Sequence, residues 1–198
     1  TTEIYTLSLH DALPIYFISA AERVLHMDFS LDETRIGSRI VRVDALPMGI
    51  NYDLYHNVSQ QKNVWKAIER TRLLFGKHKL ILSVDRLDYS KGILHRLYGF
   101  ASFLEHHPEY HGKVTLAMVI VPSRDHVGSY AELKTRIDAE IGSINGRYST
   151  MNWTPVCYFY HGFSFEELAA MYFIADIALV TPLRDGMNLV AKEYVAVK

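Results

Sequence analysis

Two cationic side chains lie five residues apart in the segment VDRLDYSKGI. Arg86 and Lys91 flank a turn, and Gly92 stands directly before a helical pattern. A guanidinium group can bind phosphate through two parallel hydrogen bonds, and a helix N-terminus adds backbone N–H groups. The spacing therefore indicates a diphosphate site. The alternative is that Arg86 pairs with Asp85 or Asp88 while Lys91 is solvated, and spacing alone favours neither interpretation.

A second segment, TPLRDGMNLVAKEY, joins a predicted strand to a predicted helix. Asp185 could accept hydrogen bonds from sugar hydroxyls, and Gly186 permits close backbone approach to a ligand. Glu193 lies one turn into the helix, where its carboxylate could hold a vicinal diol. Taken singly, Asp185 could be only a turn residue and Glu193 only a surface carboxylate. The cluster as a whole favours nucleotide-sugar binding, with N–H donors in the first helical turn at Asn188, Leu189 and Val190.

Two further side chains are weaker candidates. Arg124, in PSRDHVGSY, is a candidate anion ligand, because this loop also follows a predicted strand. Phe163 could stack on a base, although a lone Phe before a helix more often forms a hydrophobic staple.

Alternating strands and helices must position these loops. Apolar runs predict strands over 79–84, 113–121, 156–160 and 177–181, and the segment 39–50 is typical of a strand that leads into a Pro–Gly turn. Helical spacing predicts helices over 16–25, 51–74, 93–106, 130–144, 165–175 and 188–197. In the second of these stretches, 51–74, the apolar residues are Val64, Ile68 and Leu73, and Ser164 with Glu167 predicts a capping box before the helix at 165–175. Continuous apolar strands between amphipathic helices predict a doubly wound parallel α/β sheet, whose ligands bind at the carboxyl ends of the strands.

Composition excludes several classes of protein. The 198 residues carry 21 basic and 22 acidic side chains, so nothing favours a nucleic-acid or membrane-surface partner. No apolar stretch reaches the roughly 18 residues of a membrane span. The single cysteine, Cys157, cannot form an internal disulfide, which favours a reducing, cytoplasmic location. The histidines lack paired-ligand spacing, so we expect no metal site.

Both ends of the chain are unusual. Residues 1–15, TTEIYTLSLHDALPI, resemble the translation of a sequencing-library adapter, and we expect them to be non-native rather than a genuine strand and turn. The final helical pattern has no stop signal. We therefore predict three segments: 1–15, 16–50 as the end of one domain and a linker, and 51–198 as a second domain that is incomplete at its C-terminus.

From about residue 16 onward the chain resembles the trehalose-6-phosphate synthase family, and the bacterial enzymes above all. The resemblance rests on VDRLDYSKGI, VPSRDHVGSY, INGRY…WTP and especially TPLRDGMNLVAKEY. It implies the C-terminal, donor-binding Rossmann-like domain of a GT-B glycosyltransferase, truncated here. It also implies glucosyl transfer from UDP-glucose to glucose 6-phosphate, with retention and without a metal or cofactor. The fragment alone is expected to be inactive, and the full-length protein could form a homo-oligomer.

The same resemblance implies a role for each candidate residue. Arg86, Lys91 and Asp185 would form the catalytic set, with the two cations on the diphosphate. Arg124 would reach the phosphate of glucose 6-phosphate. The other donor-binding residues would be Phe163, beside the uracil, and Gly186, Met187, Asn188, Leu189, Val190, Ala191, Lys192 and Glu193.

Three alternatives stay open at this point. The donor base could be guanosine or adenosine rather than uridine. The chain could come from a non-catalytic regulatory homologue, or from a GT-B glycosyltransferase that uses another sugar acceptor.

Overall fold

The computed structural model describes residues 9–44, 48–75, 77–123 and 128–198. The chain divides into two compact units. One comprises Thr1–Gly49 together with Asp185–Asn188, and the other comprises Ile50–Arg184 together with Leu189–Lys198.

The smaller unit contains a helix, α1 (Leu9–Leu25), and a hairpin of two short strands, β1 (Glu33–Ile36) and β2 (Arg39–Arg42). The strands pair antiparallel, with Glu33 opposite Arg42. Between them Gly37 has a φ of +61°, which suits a tight turn. Helix α1 begins at Leu9, so it includes part of the segment 1–15; the non-native origin of that segment stays a prediction.

The larger unit alternates helices and strands in the order that the sequence predicts. Its elements are α2 (Tyr52–His56), α3 (Lys62–Phe75), β3 (Lys79–Arg86), α4 (Ile93–His106), β4 (Val114–Val121), α5 (Gly128–Tyr148), β5 (Val156–Phe159), α6 (Phe165–Ile174), β6 (Ile177–Ala178) and α7 (Leu189–Val197).

The four strands β3 to β6 form one parallel sheet with the order β5-β4-β3-β6. Alternate residues of β4 enter two different cores, because successive side chains of a strand point to opposite faces. Leu116 and Met118 pack with α4 and α5, whereas Ala117 and Val119 pack with α3 and α6. Both faces of the sheet are therefore covered, and the predicted doubly wound α/β fold is confirmed.

Local signals placed several boundaries correctly. Helix α4 spans Ile93–His106 as predicted. The capping box of α6 is present, with the Ser164 hydroxyl accepting from the backbone N–H of Glu167 and the Glu167 carboxylate accepting from the backbone N–H of Ser164.

Four element predictions need correction. The strand predicted at the start of 39–50 is present as β2, but its partner β1 was not predicted. Segment 51–74 breaks into α2 and α3, separated by a short 3-10 helix. Leu73 is 85% exposed, because five residues after the buried Ile68 correspond to about 140° around a helix. Strand β6 has two residues rather than five, and Ile177 is 52% exposed. Within the part of the chain that the structure describes, β6 pairs with β3 alone, so one side of it is left uncovered.

Across the described ranges, the chain has no helix that is both long and apolar enough to cross a membrane.

Candidate functional site

The loop after β3 is tied to the sheet and to itself by hydrogen bonds. Leu87 is buried, and its backbone N–H donates to the carbonyl of Val121 at 2.9 Å. The Asp88 carboxylate accepts from both the backbone N–H and the hydroxyl of Ser90, each at 2.8 Å. These hydrogen bonds lower the pKa of Asp88, with smaller contributions from the charges of Arg86 and Lys91.

Arg86 ends β3 with an exposed side chain. It makes no ion pair with any residue that the structure describes, so its pairing with Asp85 or Asp88 is not found. The geometry explains this. Asp85 points to the opposite face of β3 and pairs with Arg96 at 2.6 Å, while Asp88 is occupied by Ser90.

The loop after β3 and the loop after β6 are joined to each other. The Ser90 carbonyl accepts from the backbone N–H groups of Leu183 and Arg184, at 2.7 and 3.1 Å. Gly92 has a φ of +64°, and a Cβ atom at this position would lie 2.8 Å from the carbonyl oxygen of Thr181. The Lys91 turn therefore packs directly against the segment that leads from β6 towards α7.

Glu193, on α7, accepts a hydrogen bond at 2.8 Å from the hydroxyl of the fully buried Tyr172. Burial raises the pKa of Tyr55 to about 12, with further contributions from a hydrogen bond to Glu193 and from its charge. The pKa of Tyr172 is also raised, by burial first and then by the charge of Glu193, with a smaller effect of Asp85 at the end of β3. Two phenols thus orient a half-buried carboxylate at the carboxyl end of the sheet.

Residues Asp185–Asn188 are described separately, because they cluster with the smaller unit. The side-chain amide of Asn188 donates to the Asp185 carboxylate at 3.0 Å. Helix α7 begins at Leu189, so Asn188 precedes it. The proposed donor contacts of this stretch stay predictions, namely those of Asp185, Gly186, Met187, Asn188, Leu189, Val190, Ala191, Lys192 and Glu193.

Phe163 is partly buried beside α6. Its ring meets Phe159 edge-on, with centroids 5.2 Å apart, and His161 at 4.6 Å. It packs against the same core as α3 and α6, as a staple would, and its place beside a base stays a prediction. Arg124 lies outside the described residues.

Sequence reasoning overlooked three side chains of this region: Arg96, Tyr55 and Tyr172. Arg96 had a detectable signal, because it lies three residues after Ile93 and four before Phe100, both on the buried face of α4. The two tyrosines had none, since they reach Glu193 only through tertiary packing. As for metals, no group of three or more His, Cys, Asp or Glu side chains able to hold an ion occurs among the described residues.

The family model described as glycosyltransferase family 20 matches residues 11–198. The chain is 44% identical over 182 residues to a bifunctional trehalose-6-phosphate synthase/phosphatase of Thermoproteus tenax, covering 92% of this chain and 25% of that protein. It is 41% identical to the UDP-forming alpha,alpha-trehalose-phosphate synthase of Pichia angusta, covering 91% of this chain and 38% of the relative.

Among solved structures, a UDP-forming alpha,alpha-trehalose-phosphate synthase from Burkholderia vietnamiensis matches with a TM-score of 0.88 and 36% identity, over 95% of this chain and 41% of that one. An Escherichia coli structure bound with UDP-2-fluoro glucose matches with a TM-score of 0.78 and 34% identity, over 86% of this chain and 38% of that one. The chain thus spans between a quarter and about two-fifths of the length of these relatives.

Proposed function

The chain belongs to glycosyltransferase family 20, and from this premise we propose that it is the donor-binding part of a UDP-forming trehalose-6-phosphate synthase. The protein that contains it at full length, hereafter the intact parent protein, transfers glucose from UDP-glucose to glucose 6-phosphate. The products are trehalose 6-phosphate and UDP. The relatives of this chain carry that enzyme's name, and the fold agrees with it.

One observation carries the proposal. Arg86 is exposed at the carboxyl edge of the parallel sheet and makes no ion pair within the described part of the chain. Lys91 follows it across a turn that is fixed by Asp88 and by the contact of Ser90 with the next loop. A cationic side chain that is exposed and has no ion pair among the described residues, at the edge where α/β sheets bind ligands, suits a diphosphate.

The chemistry needs stabilisation of negative charge more than it needs a protein nucleophile. The bond between the glucosyl C1 and the diphosphate oxygen breaks, and the acceptor hydroxyl oxygen forms the new bond on the same face of the sugar. The acceptor proton passes to the departing diphosphate. Arg86 and Lys91 stabilise the charge that grows on that leaving group, and this requires neither metal nor cofactor.

The Glu193 carboxylate would bind a second part of the donor, the ribose. A carboxylate accepts hydrogen bonds through both oxygens, which suits the two neighbouring hydroxyls of a ribose. Tyr172 fixes one of these oxygens at 2.8 Å, so the carboxylate is oriented before the donor arrives. Asp185 would bind the glucosyl hydroxyls, Phe163 would lie beside the uracil, and Arg124 would bind the acceptor phosphate.

The test is a transfer assay with the intact parent protein, UDP-glucose and glucose 6-phosphate, following UDP and trehalose 6-phosphate together. We expect Arg86→Gln and Lys91→Gln each to lower kcat/KM by about 10²–10³. This is the usual effect of removing one group that stabilises negative charge in the transition state. Arg136→Gln is the matched control, because Arg136 is exposed on α5. Unchanged kcat/KM in Arg86→Gln would contradict the proposed site.

Other outcomes of the same assay separate the alternatives. Binding of UDP-glucose without turnover by the intact parent protein would indicate a regulatory homologue. Transfer to another sugar, but not to glucose 6-phosphate, would indicate a different acceptor. We also propose that the 198-residue chain alone is inactive and that the intact protein is cytoplasmic; turnover by the isolated chain would refute the first of these.

A further inference from the structure

Arg96 is one of only two charged residues that are buried among those the structure describes; the other is Asp85. Its side chain, on the first turns of α4, is 1% exposed, and that of Asp85 is 6% exposed. Removing an arginine from water is costly unless its charge is balanced and its N–H groups have acceptors. The surroundings of Arg96 meet both conditions.

Four acceptors surround the guanidinium group. Nη1 donates to the Asp85 carboxylate at 2.6 Å and to the hydroxyl of Ser83. Nη2 donates to the backbone carbonyl of Lys91 at 3.2 Å, and Nε donates to the hydroxyl of Thr181 at 3.1 Å. These acceptors belong to three separate segments: the end of β3, the turn that carries Lys91, and the loop after β6.

Each of the three segments leads into the candidate diphosphate site. Asp85 directly precedes Arg86 in β3. The bond to the Lys91 carbonyl fixes the backbone from which the Lys91 side chain extends. Thr181 lies two residues before Leu183, whose N–H donates to the Ser90 carbonyl. Arg96 therefore connects the backbone segments that carry the two cations with the loop after β6, which packs against them.

We propose that Arg96 is a positioning residue: through the Lys91 carbonyl and Thr181 it fixes the relative placement of the two loops that form the diphosphate site. Arginine suits this role because its planar fork donates in several fixed directions at once. A lysine would keep the charge opposite Asp85 but lacks the fork that reaches both Thr181 and the Lys91 carbonyl. Arg96→Lys therefore separates positioning from charge balance.

The first experiment follows backbone amide exchange in the intact parent protein without nucleotide, so it does not depend on the proposed function. In Arg96→Lys we expect the amides of Leu183 and Arg184 to exchange at least about tenfold faster, as for loss of one to two hydrogen bonds. The amide of Leu116, in the buried β4, reports global unfolding and should change much less. Equal acceleration at Leu183 and Leu116 would mean a purely structural role and would overturn the proposal.

Thr181→Val provides a second, milder variant, in case Arg96→Lys folds poorly. It removes the acceptor of Nε and leaves the buried pair with Asp85 intact. It should accelerate exchange at Leu183 and Arg184 in the same direction. His95→Gln, an exposed change beside Arg96 on the same helix, should have no effect. Unaltered exchange in both Arg96→Lys and Thr181→Val would refute the inference.

The second experiment rests on the proposed function and measures UDP binding by calorimetry and steady-state kinetics. We expect Arg96→Lys to weaken UDP about 10- to 100-fold, since misplacement of a binding group by about 1 Å has effects of this size. Thr181→Val should weaken it less. If the wild-type protein does not bind UDP, the proposed function fails while the exchange result still stands. If the loops loosen but UDP binds unchanged, the loops do not position the diphosphate and the inference is wrong.

Discussion

Replacement of Gly92 by alanine would test how closely the two loops are packed. Gly92 lies between the turn that carries Lys91 and the first residue of α4, with a φ of +64°. A Cβ atom there would lie 2.8 Å from the carbonyl oxygen of Thr181 and 3.4 Å from the Leu183 side chain. The first contact is with backbone, so it cannot be relieved by rotating a side chain.

Two costs combine in this variant. An L-residue other than glycine in the left-handed region costs about 1–2 kcal/mol. Forcing a methyl group into a filled space costs a further amount of about 1–3 kcal/mol. We therefore expect Gly92→Ala to lower the free energy of unfolding by about 2–5 kcal/mol in total. The shift of the backbone should also weaken UDP binding, because it displaces the Lys91 turn.

Gly112 provides a matched control. It too has a positive φ, of +72°, but a Cβ atom there would meet nothing within 4 Å, and it lies before β4 at the opposite edge of the sheet. Gly112→Ala should therefore carry only the conformational cost and leave UDP binding intact. Urea denaturation of the two variants isolates the steric cost as their difference. If Gly92→Ala were within about 0.5 kcal/mol of Gly112→Ala, an ordinary mutational scatter, the close packing of the loops would be refuted.

Three further predictions concern side-chain hydrogen bonds. Ser164→Ala removes the N-cap of α6 and should lower the free energy of unfolding by about 1 kcal/mol in thermal melts; no change would mean that the capping box adds nothing. Tyr172→Phe removes one of the two tyrosine hydrogen bonds to Glu193 and should weaken UDP binding, measured by calorimetry, about tenfold or less, as for one hydrogen bond to a charged group; unchanged affinity would show that Tyr172 does not orient Glu193 for the donor. Because hydrogen bonds from Ser90 lower the pKa of Asp88, its carboxylate stabilises the fold above the unfolded-state pKa of about 3.9, and this contribution is lost as the pH falls through the folded-state value. Asp88→Ala should thus cost more stability at pH 7 than at pH 3, and a pH-independent cost would contradict this.

Periodicity and local chemistry were sufficient for most of the larger unit. Helix α4 has its predicted bounds, because its apolar residues repeat at helical spacing and Pro108 follows its end. The strands β3 and β4 were recognisable as continuous apolar runs, as expected for strands buried on both faces. Strand β6 was predicted too long, since apolar letters alone do not reveal that a strand lies at an edge and has one neighbour only.

Candidate residues in the site were recognisable by type and spacing, but their partners were not. An ion pair of Arg86 with Asp85 or Asp88 was one of two interpretations that the spacing left open. Because successive side chains of a strand point to opposite faces, Asp85 and Arg86 lie on different sides of the sheet. Asp85 therefore pairs with Arg96, eleven residues later in the chain. Glu193 was recognised as a carboxylate one turn into a helix, but its tyrosine partners come from distant segments.

The sequence by itself determined the family, the order of strands and helices in the larger unit, and the identity of the cations beside the candidate diphosphate site. These depend on residue type and on spacings of a few residues, which the chain carries locally. Only the tertiary structure decided which charges are neutralised: Asp85 is buried with Arg96, and Arg86 is left at the sheet edge without an ion pair among the described residues. It also decided that the two loops touch, through Ser90 and Gly92. Pairing and packing depend on which faces meet across the sheet, and residues far apart in the chain meet only when the strands have taken their places.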